Sequence, residues 1–326
     1  MERLLITLIL VCTMNNITNA QNPFYGQYHT PHEAVPFDRI ETEHYEPAIL
    51  EGIKLQNAEI EAIIQNPEKA DFTNTIEAFE ESGELLDKVV AVFGNMLSAE
   101  TNDDLQELAQ KIMPLLSEHS NNITLNEKLF ARVKEVYNQK ETLQLTQEQK
   151  QLLENAYNSF IRHGANLEGE AREEYRRLTT ELSKLTLTFS ENNLKETNAY
   201  QMLLTKKESL AGLPEIIIEA AAETAKNEEK EGWAFTLHAP SYIPFMTYSD
   251  NRDLRQKLYM AYNTKCTHDN EFNNIDIVKK IANTRMKIAQ LLGYKDYAEY
   301  TLKKRMAENS KSVYKLLNQL LEAYTP

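Results

Sequence analysis

Seven histidines and 49 acidic residues are the raw material for metal or acid–base chemistry in this 326-residue chain, and spacing decides what they can do. A zinc-binding helix needs two histidines at i and i+4 on one face, with a glutamate between them as general base. The nearest approach is His32-Glu33-Ala34-Val35-Pro36, with proline where the second ligand should stand. Pro31 and Pro36 also prevent the helix such a site requires. His29 and His32 share this broken stretch and read as polar loop or surface histidines. Cys266 and His268 stand close together, but two ligands make no closed metal site, and Cys266 reads as a lone semi-buried thiol. His163 falls at a break between helices and His238 on a candidate strand; both read as structural histidines. There is no Gly-rich phosphate loop and no Gly-x-Ser-x-Gly elbow. The acidic residues are spread too evenly over helices to nominate an acid–base pair. From the residues alone, no catalytic group and no metal ligand is assigned.

The elements that would have to position any such chemistry are almost all helices. Glycine is scarce, 9 in 326, which disfavours turn-rich β architectures and suits long helices. Glu46-Pro47 marks a first helical turn, followed by Ile49, Ile53, Ile60 and Ile64 at helical spacing. Thr73 or Asn74 opens a helix through Ile76, Phe79, Leu85 and Val89, with Gly83 a soft spot. Further helices are predicted over 101–116 and 125–137, and after a capping box at Thr146-Gln147-Glu148-Gln149. A long one runs from Ala171 to about Leu194. Residues 21 to about 40 form a proline-interrupted arm before all of these. No fixed repeat period is present, and the charge run Glu223 to Glu231 reads as a solvated helix face.

The texture changes near Asn198. Tyr200–Thr205 reads as a short strand, and Leu213-Pro214 leads into an Ile- and Ala-rich helix. Gly232–Asn263 then holds the single Trp and a run of aromatics. Trp233, Phe235 and Leu237 alternate with Ala234, Thr236 and His238, the period of a half-buried strand. Pro240 and Pro244 are expected to forbid a regular continuation, leaving an aromatic loop before a helix capped at Asp250 or Asn251. Two more helices follow. One is stopped by Gly293, and the other starts at Asn309 or Ser310 with the stripe Val313, Leu317, Leu320 and Tyr324.

Composition bounds the partners. Hydrophobic content of 42% supports a real core, and a formal net charge of −14 argues against nucleic-acid backbones and anionic membranes. Met1–Ala20 reads as a secretory signal, with Arg3 in a basic start, an apolar run from Leu4 to Cys12, and Thr18-Asn19-Ala20 near a cleavage point. The run is too short for a bilayer span of about 20 residues. A buried N-terminal helix is the alternative; a lipoprotein reading of Cys12 is opposed by the bulk of Val11. With the signal removed, Cys266 is the one remaining cysteine, so no intrachain disulfide is expected in an exported, periplasmic or secreted chain without a membrane anchor.

Several dispersed blocks resemble a known family. These are Glu43-His44-Tyr45-Glu46-Pro47-Ala48, Ile161-Arg162-His163-Gly164-Ala165-Asn166-Leu167, Leu213-Pro214, Gly232-Trp233-Ala234-Phe235-Thr236-Leu237, Pro240-Ser241-Tyr242-Ile243-Pro244-Phe245-Met246 and Leu291-Leu292-Gly293-Tyr294-Lys295-Asp296-Tyr297. In order and spacing they resemble the zinc metallopeptidase family of peptidyl-dipeptidase, oligopeptidase A and thimet oligopeptidase, across nearly all of residues 22 to 326. The resemblance implies a mostly α fold, the N-terminal helical half of a two-lobed clamshell, with a few short strands around residues 200–239. It implies a channel for short, unfolded oligopeptides and one zinc ion held by His-Glu-x-x-His and a later glutamate. That zinc would polarise the scissile carbonyl and acidify its water, with the motif glutamate taking the proton and a C-terminal dipeptide released.

No His-Glu-x-x-His occurs in this chain, so no ligand or general base carries over, and no zinc is expected on the chain itself. The expected organisation is a signal at 1–20, a helical domain at 21–197 and an incomplete start of the catalytic domain at 198–326. On this reading the chain is the N-terminal portion of an exported peptidase that stops before the zinc motif, monomeric and inactive by itself. Tyr242 and Phe245 are the residues assigned to the peptide channel, with packing as their other reading. The alternative is a non-catalytic helical module that binds peptides or acts as a scaffold.

Overall fold

A computed structural model describes residues 22–325; the signal read over Met1–Ala20 lies outside them. The described chain is mostly helical, as expected, with one two-stranded sheet. It forms two compact units, one from residues up to Ser183 together with those from Met286 onward, the other from Lys184 to Arg285.

The first unit is built of helices that begin where local chemistry starts them. α1 (Thr42–Gln65) opens earlier than the Glu46-Pro47 turn predicted, because the Glu41 N–H donates to His44 Nδ1 at 2.9 Å. Pro47 therefore lies inside the helix, correcting its placement in the first turn. Asp71 and Asn74 cap each other's N–H groups at 2.7 and 3.0 Å and open a π-turn, Phe72–Glu77. Gly83 does more than soften the next helix: at φ +86° it separates that turn from α2 (Glu84–Ala99). Its N–H donates to Glu59 Oε2 at 2.8 Å, and a Cβ there would stand 2.3 Å from Gln56 Nε2, so glycine allows the close approach of the loop to α1.

Asn102 caps α3 (Asp103–Thr124), which runs past the predicted end and through Pro114. Asn126 caps α4 (Glu127–Asn138), accepting from Lys128 and Leu129 N–H at 3.0 Å each. The predicted capping box opens α5 (Gln147–Arg162), with Gln149 N–H to Thr146 Oγ1 at 3.2 Å and Thr146 N–H to Gln149 Oε1 at 3.1 Å.

Ile60, Ile63, Phe72, Ile76, Leu129, Val133, Leu153 and Phe160 form the main core of this unit. Each such burial stabilises by about 1.5–3 kcal/mol relative to exposure. Phe160 is central: its ring lies 5.4 Å from Phe79 and 5.7 Å from Phe130. The proline-rich arm is tied down by Phe24, packed 5.4 Å from Tyr45, which in turn meets Phe93 at 5.1 Å. α6 (Gly169–Ala199) contributes Tyr175 and Leu178 to a smaller cluster with Leu125 and Ile288.

In the second unit both predicted strands form and pair with each other, the second stopping at Thr236, short of His238, which instead precedes the next helix. β1 (Gln201–Leu204) runs antiparallel to β2 (Trp233–Thr236), with Met202 opposite Phe235 and Leu204 opposite Trp233. α7 (Glu215–Asn227) connects them, starting after Pro214 as expected. The aromatic loop predicted after β2 is corrected: Ala239–Tyr248 is a helix, α8, despite Pro240 and Pro244. Pro240 falls in the first turn, where an N–H would have no intrahelical partner anyway. Pro244 removes one hydrogen bond, while Phe245 beside it is wholly buried in the core.

Asn251 caps α9 (Arg252–Asn263), its Oδ1 accepting from Leu254 N–H at 3.1 Å. α10 (Ile275–Leu291) ends before Gly293, at φ +84°. The division between the units falls within α6 and α10, and the change of texture at Asn198 lies at the end of α6. α11 (Tyr297–Leu302), which the sequence pattern did not reveal, is too short to show a periodic stripe. α12 (Ser310–Tyr324) starts at the Asn309 cap.

Candidate functional site

Gly232–Asn263 is the stretch where unusual residues are densest, and within the second unit it folds as one local assembly. Gly232 sits at φ +110°, and a Cβ there would stand 2.3 Å from the Leu204 carbonyl oxygen. Only glycine lets β2 begin this close to β1. At the other end of β2 the Thr236 N–H donates to Ser241 Oγ at 3.0 Å, which fixes the turn into α8.

α8 places the two candidate channel residues differently. Phe245 is 0% exposed and meets Phe235 edge-on at 4.6 Å, within a core that includes Met202, Leu213 and Leu258. Tyr242, one turn earlier, is half-buried. Its ring stacks on Tyr262 of α9 at 4.1 Å, and Lys265 Nζ lies 4.5 Å above the Tyr262 ring. Burial raises the Tyr242 phenol above its ordinary value, opposed by a hydrogen bond with Asn263. This column can present an aromatic edge to a ligand.

The histidines are dispersed. His29 and His32 are exposed in the arm, as expected. His44 accepts at the start of α1. His163 sits at the end of α5 with Nδ1 2.8 Å from the Ser159 carbonyl. His238 precedes α8 and has both ring nitrogens engaged, 3.1 Å from Thr236 Oγ1 and 3.0 Å from Asn198 Oδ1. His119, which the sequence did not single out, is buried on α3 with Nε2 2.6 Å from Gln56 Oε1, and burial lowers its pKa.

The Cys266 and His268 pair gains a third member, Glu196, which sequence reading missed because it lies 70 residues before Cys266 in the chain. Cys266, at φ +57°, donates its backbone N–H to the Glu196 carboxylate, and His268 Nε2 lies 3.6 Å from Glu196 Oε1. Cys266 is buried, more so than the semi-buried thiol expected. Burial first, then hydrogen bonding and charge from Glu196, push the thiol up to about 11, so it stays protonated and a poor nucleophile at neutral pH.

Among the described residues, no group of three or more His, Cys, Asp or Glu side chains is placed to hold a metal ion. An open groove of about 840 Å³ lies between the starts of α1 and α3. Glu41, Glu43, Glu46, Asp104 and Glu107 line it, and Lys111 Nζ pairs with Glu46 at 2.6 Å. Among the described residues, no helix is long and apolar enough to cross a membrane.

Comparison with known proteins gives this assembly its context. Residues 245–326, from Phe245 in α8 onward, match Peptidase family M3. The chain is 34% identical over 303 residues to Dipeptidyl carboxypeptidase of Escherichia coli, covering 93% of this chain and 44% of that protein. It is 30% identical over 309 residues to Oligopeptidase A of Salmonella typhimurium, covering 94% of this chain and 45% of that protein. Against Oligopeptidase A of Escherichia coli the figures are 31% over 301 residues, 91% and 44%. These matches support the M3 metallopeptidase family, the one that the sequence blocks resemble. The relatives are peptidases by name, and the chain spans less than half the length of each of these three.

Proposed function

We propose that this chain forms the N-terminal helical portion and the start of the catalytic domain of an exported, zinc-dependent peptidase that cleaves short peptides and releases C-terminal dipeptides. The observation that carries the reading is the continuous similarity to Dipeptidyl carboxypeptidase over 93% of the chain. The zinc belongs to a His-Glu-x-x-His motif that these 326 residues do not contain, and the described donor set offers no substitute. The chain alone is therefore inactive. Tyr242 and Phe245 contribute to the peptide channel in different ways: Tyr242 offers a half-exposed ring, and Phe245 supports α8 from the core.

The test incubates purified residues 21–326 with zinc and an N-terminally blocked oligopeptide, then measures bound metal and released dipeptide. Neither stoichiometric zinc nor turnover is expected; finding both overturns the reading of an inactive portion.

The second reading, a non-catalytic peptide-binding module, is favoured by the exposed aromatic column around Tyr242. It requires saturable binding of an unfolded oligopeptide without cleavage. Tyr242→Ala then weakens that binding by up to about tenfold. Titration calorimetry that detects no binding removes the second reading and leaves the first intact.

A further inference from the structure

We draw no further inference here: the strongest candidate, the exposed apolar face of α12 carrying Leu316, Leu317, Leu320, Leu321 and Tyr324, is an unpartnered helix face, and nothing in the structure shows what covers it.

Discussion

The two units reach a buried core by different routes. In the first, α1, α4 and α5 carry apolar stripes on helices that local hydrogen bonds start, and the stripes close around Phe160 and Val133. In the second, Met202 meets Phe235 because β2 pairs with β1, across the whole of α7 in sequence, and the turn into α8 then brings Phe245 onto Phe235. The first core is therefore sensitive above all to lost side-chain volume. The second is sensitive to a lost backbone contact as well, because one glycine sets how closely its strands begin.

Volume deletion gives the largest effects. Phe160→Ala and Phe245→Ala each cost about 3–5 kcal/mol, since both rings are essentially fully buried. Hydrogen exchange should place the lost protection in α4 and α5 for the first, and in β1, β2 and α9 for the second. Equal loss everywhere would break the distinction between the cores.

A backbone change comes next. Gly232→Ala adds a Cβ 2.3 Å from the Leu204 carbonyl oxygen at φ +110° and is expected to cost about 2–3 kcal/mol in urea unfolding. Gly169→Ala is the control: its φ is +52° in open space, so it should cost about 1–2 kcal/mol at most. If the two behave alike, the close approach of the strands is not what makes the second core fragile.

Caps sharpen the first unit. Asn126→Ala leaves the N–H groups of Lys128 and Leu129 without their acceptor and should lower stability by about 1 kcal/mol, read from the chemical denaturation midpoint.

The smallest effect is a slope with pH. Burial holds the His119 pKa below its unfolded value of 6.5, so the neutral ring contributes stability that is fully present above that value. It is lost as pH falls through the lower, folded value. His119→Gln should flatten that part of the stability–pH profile; an unchanged slope would show that other groups carry it.

Much of the helical scaffold was legible because its signals act within three residues of each other. Thr146 with Gln149, Asn251 with Leu254 and Asn309 with Ser312 each join a side chain to a nearby N–H. The second strand was legible from the alternation of Trp233, Phe235 and Leu237 with smaller or polar residues. The loop expected after β2 failed for a different reason. Pro240 and Pro244 argue locally against a helix, yet burial of Phe245 and the position of Pro240 in the first turn admit one. Neither a residue's type nor its spacing reports that balance. The candidate site was legible only in part: Tyr242 and Phe245 stand out as aromatics, but their separation into a half-exposed ring and a core ring depends on which side of α8 meets Phe235.

By itself, the sequence determined the helical class, most helix starts, the presence of two short strands and the family resemblance, because these rest on local hydrogen bonding, periodicity and ordered blocks. Only the tertiary structure decided that Glu196 meets Cys266 and His268, that His119 is buried against Gln56, and that Phe245 closes the second core. Those outcomes depend on packing between distant residues, where burying apolar surface outweighs the local preferences of the chain.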